Sequence, residues 1–240
     1  MAAPQGTLKI VTTAGEVELQ AERTAVLVVD MQNDFGDARG MFGRAGVDLS
    51  GITAAVEPTA KVIEAARRIG LRIIYLKMGF LPDLSDLGAP DSPNRIVHDR
   101  LGVGDEMVAP DGTTSRILVR DTWNTDILPR LSPMPDDEVV YKSRYSGFYR
   151  TGLEASLSAH GISTLVVTGC TTSVCVESTM RDAMFRDLTC VLLSDCTAEP
   201  IGARNRDSSL EVLGTMFGRV SDSAAFVAAA TARPSQLVLS

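Results

Sequence analysis

Short continuous runs of apolar residues recur along the chain, and stretches with helical spacing separate them. The apolar runs cover residues 25–29, 72–77, 138–141, 164–168 and 189–193. Runs of Val, Ile and Leu without polar alternation are typical of strands that are covered on both faces. Helical spacing is found at residues 58–69, with Pro58 in the first turn, and at residues 152–160, 175–186 and 203–216. This alternation predicts an α/β fold with a parallel sheet.

Residues 78–120 interrupt the pattern, because they are rich in Pro, Gly and Asp and show no strong period. Irregular stretches of this length are usually functional. The segment is expected to form either a lid or a contact between subunits. The alternative is a surface loop without a specific function.

Length and composition favour one globular domain: the chain has 240 residues, of which 45% are hydrophobic and 22% charged. We assign residues 1–23 to an N-terminal extension and residues 24–240 to the domain. The net charge of −7 argues against nucleic-acid or anionic-membrane partners, which attract clustered Lys and Arg. No apolar run approaches the ~18 residues that span a bilayer, so a cytoplasmic protein is expected.

Cys170, Cys175, Cys190 and Cys196 are the four cysteines, and the chain has only two histidines. They form no zinc-ribbon pattern, so neither a disulfide framework nor a structural metal is expected. Taken singly, each cysteine is best explained as a small buried apolar residue.

Three chemically distinct side chains follow predicted strands. Asp30 ends the first strand, Lys142 follows the third, and Cys175 begins a helix after the fourth. Ligands bind at the carboxyl ends of parallel strands, so these groups are predicted to meet there. A helix start also favours a thiolate. Each residue has a structural explanation alone, but together they suggest a thiol nucleophile, a carboxylate that moves its proton and a supporting ammonium.

Three segments carry a family resemblance: LVVDMQNDF at 27–35, VVYKSRYSGF at 139–148 and VTGCTTSVCVESTMRDA at 167–183. In order and spacing they resemble the signature regions of the cysteine hydrolases of the isochorismatase-like superfamily. The resemblance implies a three-layer α/β/α fold with a six-stranded parallel sheet, hydrolysis of a C–N bond, and an Asp30–Lys142–Cys175 catalytic triad. It also implies a cis peptide before Thr171 and an oxyanion hole formed by the N–H groups of Thr171 and Cys175.

Within the superfamily the chain is similar to ureidoacrylate amidohydrolases and to biuret and triuret hydrolases, so the expected substrate is a small ureide or amide. The Asp-x-His metal motif of nicotinamidases is absent after the second strand, so no metal or other cofactor is expected. Arg144 and Arg181 are candidates for pairing with a substrate carboxylate. From their positions after strands or at helix starts, the predicted substrate-binding residues are Asn33, Phe35, Met78, Phe80, Trp123 and Tyr145.

The resemblance further implies a homo-oligomer, a dimer or tetramer, and the apolar residues 224–232 are compatible with that. Two alternatives remain from a different class of function. One is a non-catalytic oligomeric scaffold, and the other is a thiol redox sensor in which Cys170 would resolve an oxidised Cys175.

Overall fold

The structure, a computed structural model, describes residues 6–232. The strands are β1 (Thr7–Thr12), β2 (Gly15–Gln20), β3 (Thr24–Val29), β4 (Arg72–Met78), β5 (Glu106–Val108), β6 (Thr114–Arg116), β7 (Glu138–Lys142), β8 (Thr164–Cys170), β9 (Thr189–Ala198) and β10 (Arg219–Ser221). The α-helices are α1 (Asn33–Gly36), α2 (Met41–Arg44), α3 (Ser50–Arg68), α4 (Pro93–Arg100), α5 (Leu153–Ala159), α6 (Glu177–Met184), α7 (Ala203–Val212) and α8 (Ser223–Thr231).

The central sheet has six strands in the order β10-β9-β8-β3-β4-β7, and every neighbouring pair is parallel. The predicted α/β fold with a six-stranded parallel sheet is therefore confirmed. The five apolar runs all form strands of this sheet. The sixth strand, β10, has three residues, which is too short for a hydrophobic run to reveal it.

Helices cover both faces of the sheet and give the three layers. On one face, α3 and α8 pack together with residues such as Val26, Val28 and Phe226 in one hydrophobic cluster. On the other face, α5 and α6 contribute Leu157 and Met180 to a second cluster. Alternate side chains of each strand enter opposite clusters, which explains the continuous apolar runs in the sequence.

Strands β1 and β2 form an antiparallel hairpin that packs on the domain. Leu8 and Ile10 of this hairpin are fully buried in the cluster of α3 and α8. The Ser221 hydroxyl donates a hydrogen bond to the Val11 carbonyl at 2.6 Å and ties the hairpin to β10. The division of the chain at residue 23 stays a prediction, but the described part of residues 1–23 belongs to the packed structure.

Helix α3 begins two turns earlier than predicted, so Pro58 lies inside it. The prediction placed Pro58 in the first turn because proline cannot donate to the carbonyl four residues before it. Here that carbonyl belongs to Ala54, which is exposed and can be hydrated. The buried Ile52 and Ala55 hold the additional turns against the core.

Residues 78–120 are more regular than their composition suggested, because they contain α4 and the hairpin of β5 and β6. Ser92 caps α4 by accepting a hydrogen bond from the Arg95 N–H at 3.2 Å, and Pro93 occupies its first turn. None of the helices formed by residues 6–232 combines the length and apolar character needed to cross a membrane.

Candidate active site

The strand order reverses direction at β3, since β4 and β7 follow on one side of it and β8 and β9 on the other. Such a reversal opens a crevice at the carboxyl ends of the central strands, where α/β proteins bind ligands. Asp30 directly follows β3, Lys142 ends β7, and Cys175 lies just beyond β8.

Asp30 and Lys142 form an ion pair in the interior, with 2.7 Å between Lys142 Nζ and Asp30 Oδ2 and side chains 1% and 0% exposed. Lys142 Nζ also donates to the Arg144 carbonyl at 3.3 Å. Neither oxygen of Asp30 accepts a hydrogen bond of good angular geometry from the described residues. The carboxylate is held mainly by its ion pair with Lys142.

Burial raises the pKa of Asp30, and the nearby charge of Lys142 opposes the rise without cancelling it. Burial would lower the pKa of Lys142, but its attraction to Asp30 and Cys175 outweighs that effect and the pKa is raised. Asp30 is thus a stronger base than an ordinary carboxylate, beside a lysine that keeps its charge.

Cys175 is 7% exposed, lies in a helical turn over Thr172–Val176, and is near enough to Asp30 and Lys142 for hydrogen bonding. Burial raises the pKa of its thiol to about 12, with Lys142 lowering it and Asp30 raising it. Burial therefore opposes the helix start, which was expected to favour the thiolate, and a base is needed to take the thiol proton.

The turn before Cys175 contains a cis peptide bond between Cys170 and Thr171, as the family resemblance implied. The Thr171 carbonyl accepts hydrogen bonds from Val174 and Val176 at 3.1 and 3.2 Å. The N–H of Thr171 takes part in neither bond. The turn is anchored from outside by Glu199, whose carboxylate accepts a 2.7 Å hydrogen bond from the Ser173 N–H.

Gly169, at the end of β8, packs directly on the backbone of β3. A Cβ at this position would lie 2.0 Å from the Val29 carbonyl oxygen, and the residue has φ +111. Only glycine fits this spacing and backbone conformation. The close approach brings the Cys170–Thr171 turn next to Asp30, and the Cys170 thiol donates to the Asp30 carbonyl at 3.2 Å.

A cavity of about 300 Å³ borders Cys175 and Thr171. Three of the predicted substrate-binding residues, Phe35, Met78 and Tyr145, line this cavity. Burial and the neighbouring Cys175 raise the pKa of Tyr145, while Lys142 lowers it. The structure thus brings these three side chains together at the thiol, and their binding role stays a prediction.

Asn33, Phe80 and Trp123, the other three predicted substrate-binding residues, do not line this cavity, and their binding role stays a prediction. Asn33 Nδ2 donates to the Trp123 carbonyl at 2.7 Å, and both residues border a separate cavity of about 420 Å³ beside Lys77. Phe80 is fully buried and packs its ring edge against His98, with 5.1 Å between ring centroids. Position after a strand indicated the correct edge of the sheet but not the direction of the side chain.

His98 is a cavity residue that sequence reasoning missed. It lies on α4, is 3% exposed, and lines the cavity with its neighbours Val97 and Leu101. Residues 78–120 therefore form part of the wall over Cys175. The capping pair Ser92–Pro93 was a readable signal for α4, but nothing local indicated that its histidine lines the same cavity as Cys175.

Arg144 and Arg181 do not line the cavity, and for Arg181 the simpler alternative of a salt bridge with a neighbouring carboxylate is the one observed. Arg144 donates to the Asp86 carbonyl at 2.9 Å, and Arg181 pairs with Glu177 at 2.8 Å. In residues 6–232, no three His, Cys, Asp or Glu side chains cluster in a way that could hold a metal ion.

A six-stranded parallel sheet that carries a cavity-lining cysteine beside a buried carboxylate–ammonium pair is the arrangement of a cysteine hydrolase of the α/β class. The chain belongs to the isochorismatase family, since the family model "Isochorismatase domain" matches residues 24–225. It is an amidohydrolase, an enzyme that hydrolyses carbon–nitrogen bonds.

Several relatives are similar over most of the chain. A protein named ureidoacrylate amidohydrolase RutB from Methylorubrum extorquens is 39% identical over 89% of this chain and 85% of its own length. A cysteine hydrolase structure from Pseudomonas syringae has a TM-score of 0.74 at 30% identity, covering 89% of this chain and 95% of that one. N-carbamoylsarcosine amidase from Thermoplasma acidophilum has a TM-score of 0.62 at 26% identity, covering 84% and 96%.

Proposed function

We propose that this amidohydrolase cleaves the C–N bond of a small ureide or amide, with Cys175 as nucleophile and a thioester as intermediate. The observation that carries the proposal is the position of a cavity-lining thiol beside a buried ion pair, which consists of one carboxylate and one ammonium. Enzymes activate a weak nucleophile through such an adjacent base.

Asp30 accepts the thiol proton as the sulfur attacks the substrate carbonyl. A base is required because the Cys175 thiol, with its pKa raised to about 12, is protonated at neutral pH. The raised pKa of Asp30 narrows the difference between its pKa and that of the thiol, which makes the proton transfer easier. Asp30 then returns the proton to the leaving nitrogen, and water hydrolyses the thioester. Lys142 holds Asp30 in place and stabilises negative charge as it passes from carboxylate to sulfur.

The carbonyl oxygen becomes an oxyanion during the attack and needs hydrogen-bond donors. The N–H groups of Thr171 and Cys175 are our candidates, because both residues line the cavity and belong to the turn after β8. Donors fixed in a rigid backbone stabilise developing charge without reorganising during the reaction.

A ureide is favoured over a simple amide by the relatives. The RutB protein is named for ureidoacrylate, and the Thermoplasma enzyme for N-carbamoylsarcosine; both of these molecules carry a ureide group. Both relatives are similar to this chain over at least 84% of its length, which supports a ureide C–N bond as the bond that this enzyme cleaves.

We also propose that the protein forms a homo-oligomer in the cytoplasm. The apolar residues 224–232, which are compatible with a subunit contact, lie largely in α8. Phe226 and Ala230 of this helix are buried in the core of the same chain. Exposed apolar side chains elsewhere, including Phe185 at 67% and Met216 at 68%, offer the contact surface. The four free cysteines agree with a reducing compartment.

An ammonia-release screen tests the function, with ureidoacrylate, biuret, triuret, N-carbamoyl amino acids, nicotinamide and cyclic amides as substrates. Cys175→Ala is expected to lower kcat/KM for the accepted ureide roughly a thousandfold or more. Cys190→Ala is the matched control, since Cys190 is a buried cysteine of β9 that does not line the cavity. Full turnover by Cys175→Ala would contradict the proposal, and hydrolysis of simple amides with no ureide accepted would contradict the preference for a ureide.

A further inference from the structure

The cavity at Cys175 is apolar beyond the reacting groups. Eleven of its fifteen lining residues are apolar, and the other four are His98, Tyr145, Thr171 and Cys175. No Lys, Arg, Asp or Glu side chain is among the described residues that line it. Ligand pockets use their few polar groups to orient a substrate, and the apolar remainder sets which substituents fit.

The cations near the cavity, Lys142 and Arg144, are held by other groups and do not line it. Lys142 is paired with Asp30 at 2.7 Å. Arg144 donates to the carbonyls of Asp86 and Ser143 at 2.9 and 2.5 Å. A substrate carboxylate would enter this cavity without a counter-ion, and burying an unpaired carboxylate is strongly unfavourable.

The size of the cavity indicates room for a substituent beside the ureide group. Its volume of about 300 Å³ equals roughly ten water molecules at ~30 Å³ each, and a ureide group alone replaces only a few of them. The remaining space is bordered by Phe35, Phe42, Val47 and Leu101, so it suits an apolar substituent.

His98 supplies a polar contact of defined character. Its Nδ1 lies 2.7 Å from the Asn94 carbonyl, which can only accept, so Nδ1 carries the proton. In the neutral ring Nε2 is then an acceptor, and it makes no hydrogen bond to the described residues. Burial together with Lys142 and Arg144 lowers the pKa of His98, which favours this neutral form.

From this arrangement we propose that the enzyme selects an uncharged ureide that carries an apolar substituent, and that His98 Nε2 accepts a hydrogen bond from a substrate N–H. The inference rests on the proposed function for the bond that is cleaved. The proposed substrate differs from ureidoacrylate, because the substituent of ureidoacrylate ends in a carboxylate.

Three ureides that differ only in one group test the selection: ureidoacrylate, its primary amide, and the alkenyl analogue in which an ethyl group replaces the carboxylate. Binding to Cys175→Ala is measured by calorimetry, and turnover by the wild-type enzyme is measured separately. The alkenyl ureide is expected to bind at least tenfold more tightly than ureidoacrylate, with the amide between them. Each further methylene should tighten binding about fourfold until the cavity is full.

Tighter binding of ureidoacrylate than of both neutral analogues would overturn the proposal. The binding measurement is independent of catalysis: if the alkenyl ureide binds best but wild-type enzyme cleaves neither these three ureides nor any compound of the ammonia-release screen, the proposed function fails and the selection stands. His98→Phe should weaken binding of the alkenyl ureide about tenfold to a hundredfold, whereas His98→Gln, which keeps an acceptor, should restore most of it. Equal binding by both variants would remove His98 from the proposal.

Discussion

Lys142 and Asp30 form an ion pair with 2.7 Å between Nζ and Oδ2, and almost no solvent reaches either side chain. A pair enclosed in this way is costly to break from one side, because the remaining charge is buried alone. The same pair lies against the thiol of Cys175. The same ion pair therefore affects both the stability of the fold and the reactivity of the Cys175 thiol.

A double-mutant cycle on the pair separates the two effects. Asp30→Leu and Lys142→Met should each lower the free energy of unfolding by about 3–5 kcal/mol, since each leaves one buried charge without its partner. The double variant should recover more than half of the summed loss but no activity. Urea unfolding and ammonia release measure the two quantities. Strictly additive losses of stability would show that the pair is not coupled.

The pH dependence of kcat/KM should reflect the raised pKa of Asp30. The base must be ionised to accept the thiol proton, so activity is lost as pH falls through that pKa. We expect the acid limb to lie above the ordinary Asp value of about 3.9. Circular dichroism at each pH shows that the fold is intact. Full kcat/KM persisting at pH 4 in folded enzyme would rule out a raised pKa for the base.

Alkylation of Cys175 tests the protonation of the resting thiol. Because the pKa of this thiol is raised to about 12, its reaction with iodoacetamide should be slow at pH 7 and should still increase with pH between pH 8 and pH 10. Mass spectrometry of the modified peptide follows the rate. A rate that levels off below pH 8 would demonstrate a preformed thiolate instead.

Gly169→Ala probes the close packing of β8 on β3. The added Cβ would meet the Val29 carbonyl oxygen at 2.0 Å, so the strands must separate and the Cys170–Thr171 turn must shift. We expect a loss of more than about 1 kcal/mol in stability together with a fall in kcat. Gly152→Ala is the control, because its Cβ has nothing within 4 Å and its φ is −82. Equal behaviour of the two variants would contradict this account.

Local patterns were sufficient to predict the architecture. Val26 and Val28 face one cluster while Leu27 faces the other, so a strand with two covered faces is readable from a few residues. The ends of these strands also located Asp30 and Lys142 at one edge of the sheet. The hairpin of β1 and β2 was not predicted, because the exposed Val11 beside the buried Ile10 is apolar and interrupts the alternation of apolar and polar residues.

Features set by long-range packing were not readable. His98 faces the cavity because α4 folds back over the sheet edge, and its own neighbours in sequence carry no sign of that contact. Asn33 follows the same strand as Asp30 but turns its amide to the Trp123 carbonyl. The thiol pKa of Cys175 depends on tertiary burial, which outweighs the local effect of the helix start.

Trapping the intermediate tests the central claim, that Cys175 is the nucleophile, most directly. Wild-type enzyme turning over an accepted ureide is quenched with acid, digested and analysed by mass spectrometry, beside Cys175→Ala and Cys190→Ala. We expect a carbamoyl adduct on the peptide that contains Cys175 in wild type and Cys190→Ala, and no adduct or turnover in Cys175→Ala. An adduct on a different residue, or wild-type turnover by Cys175→Ala, would contradict it.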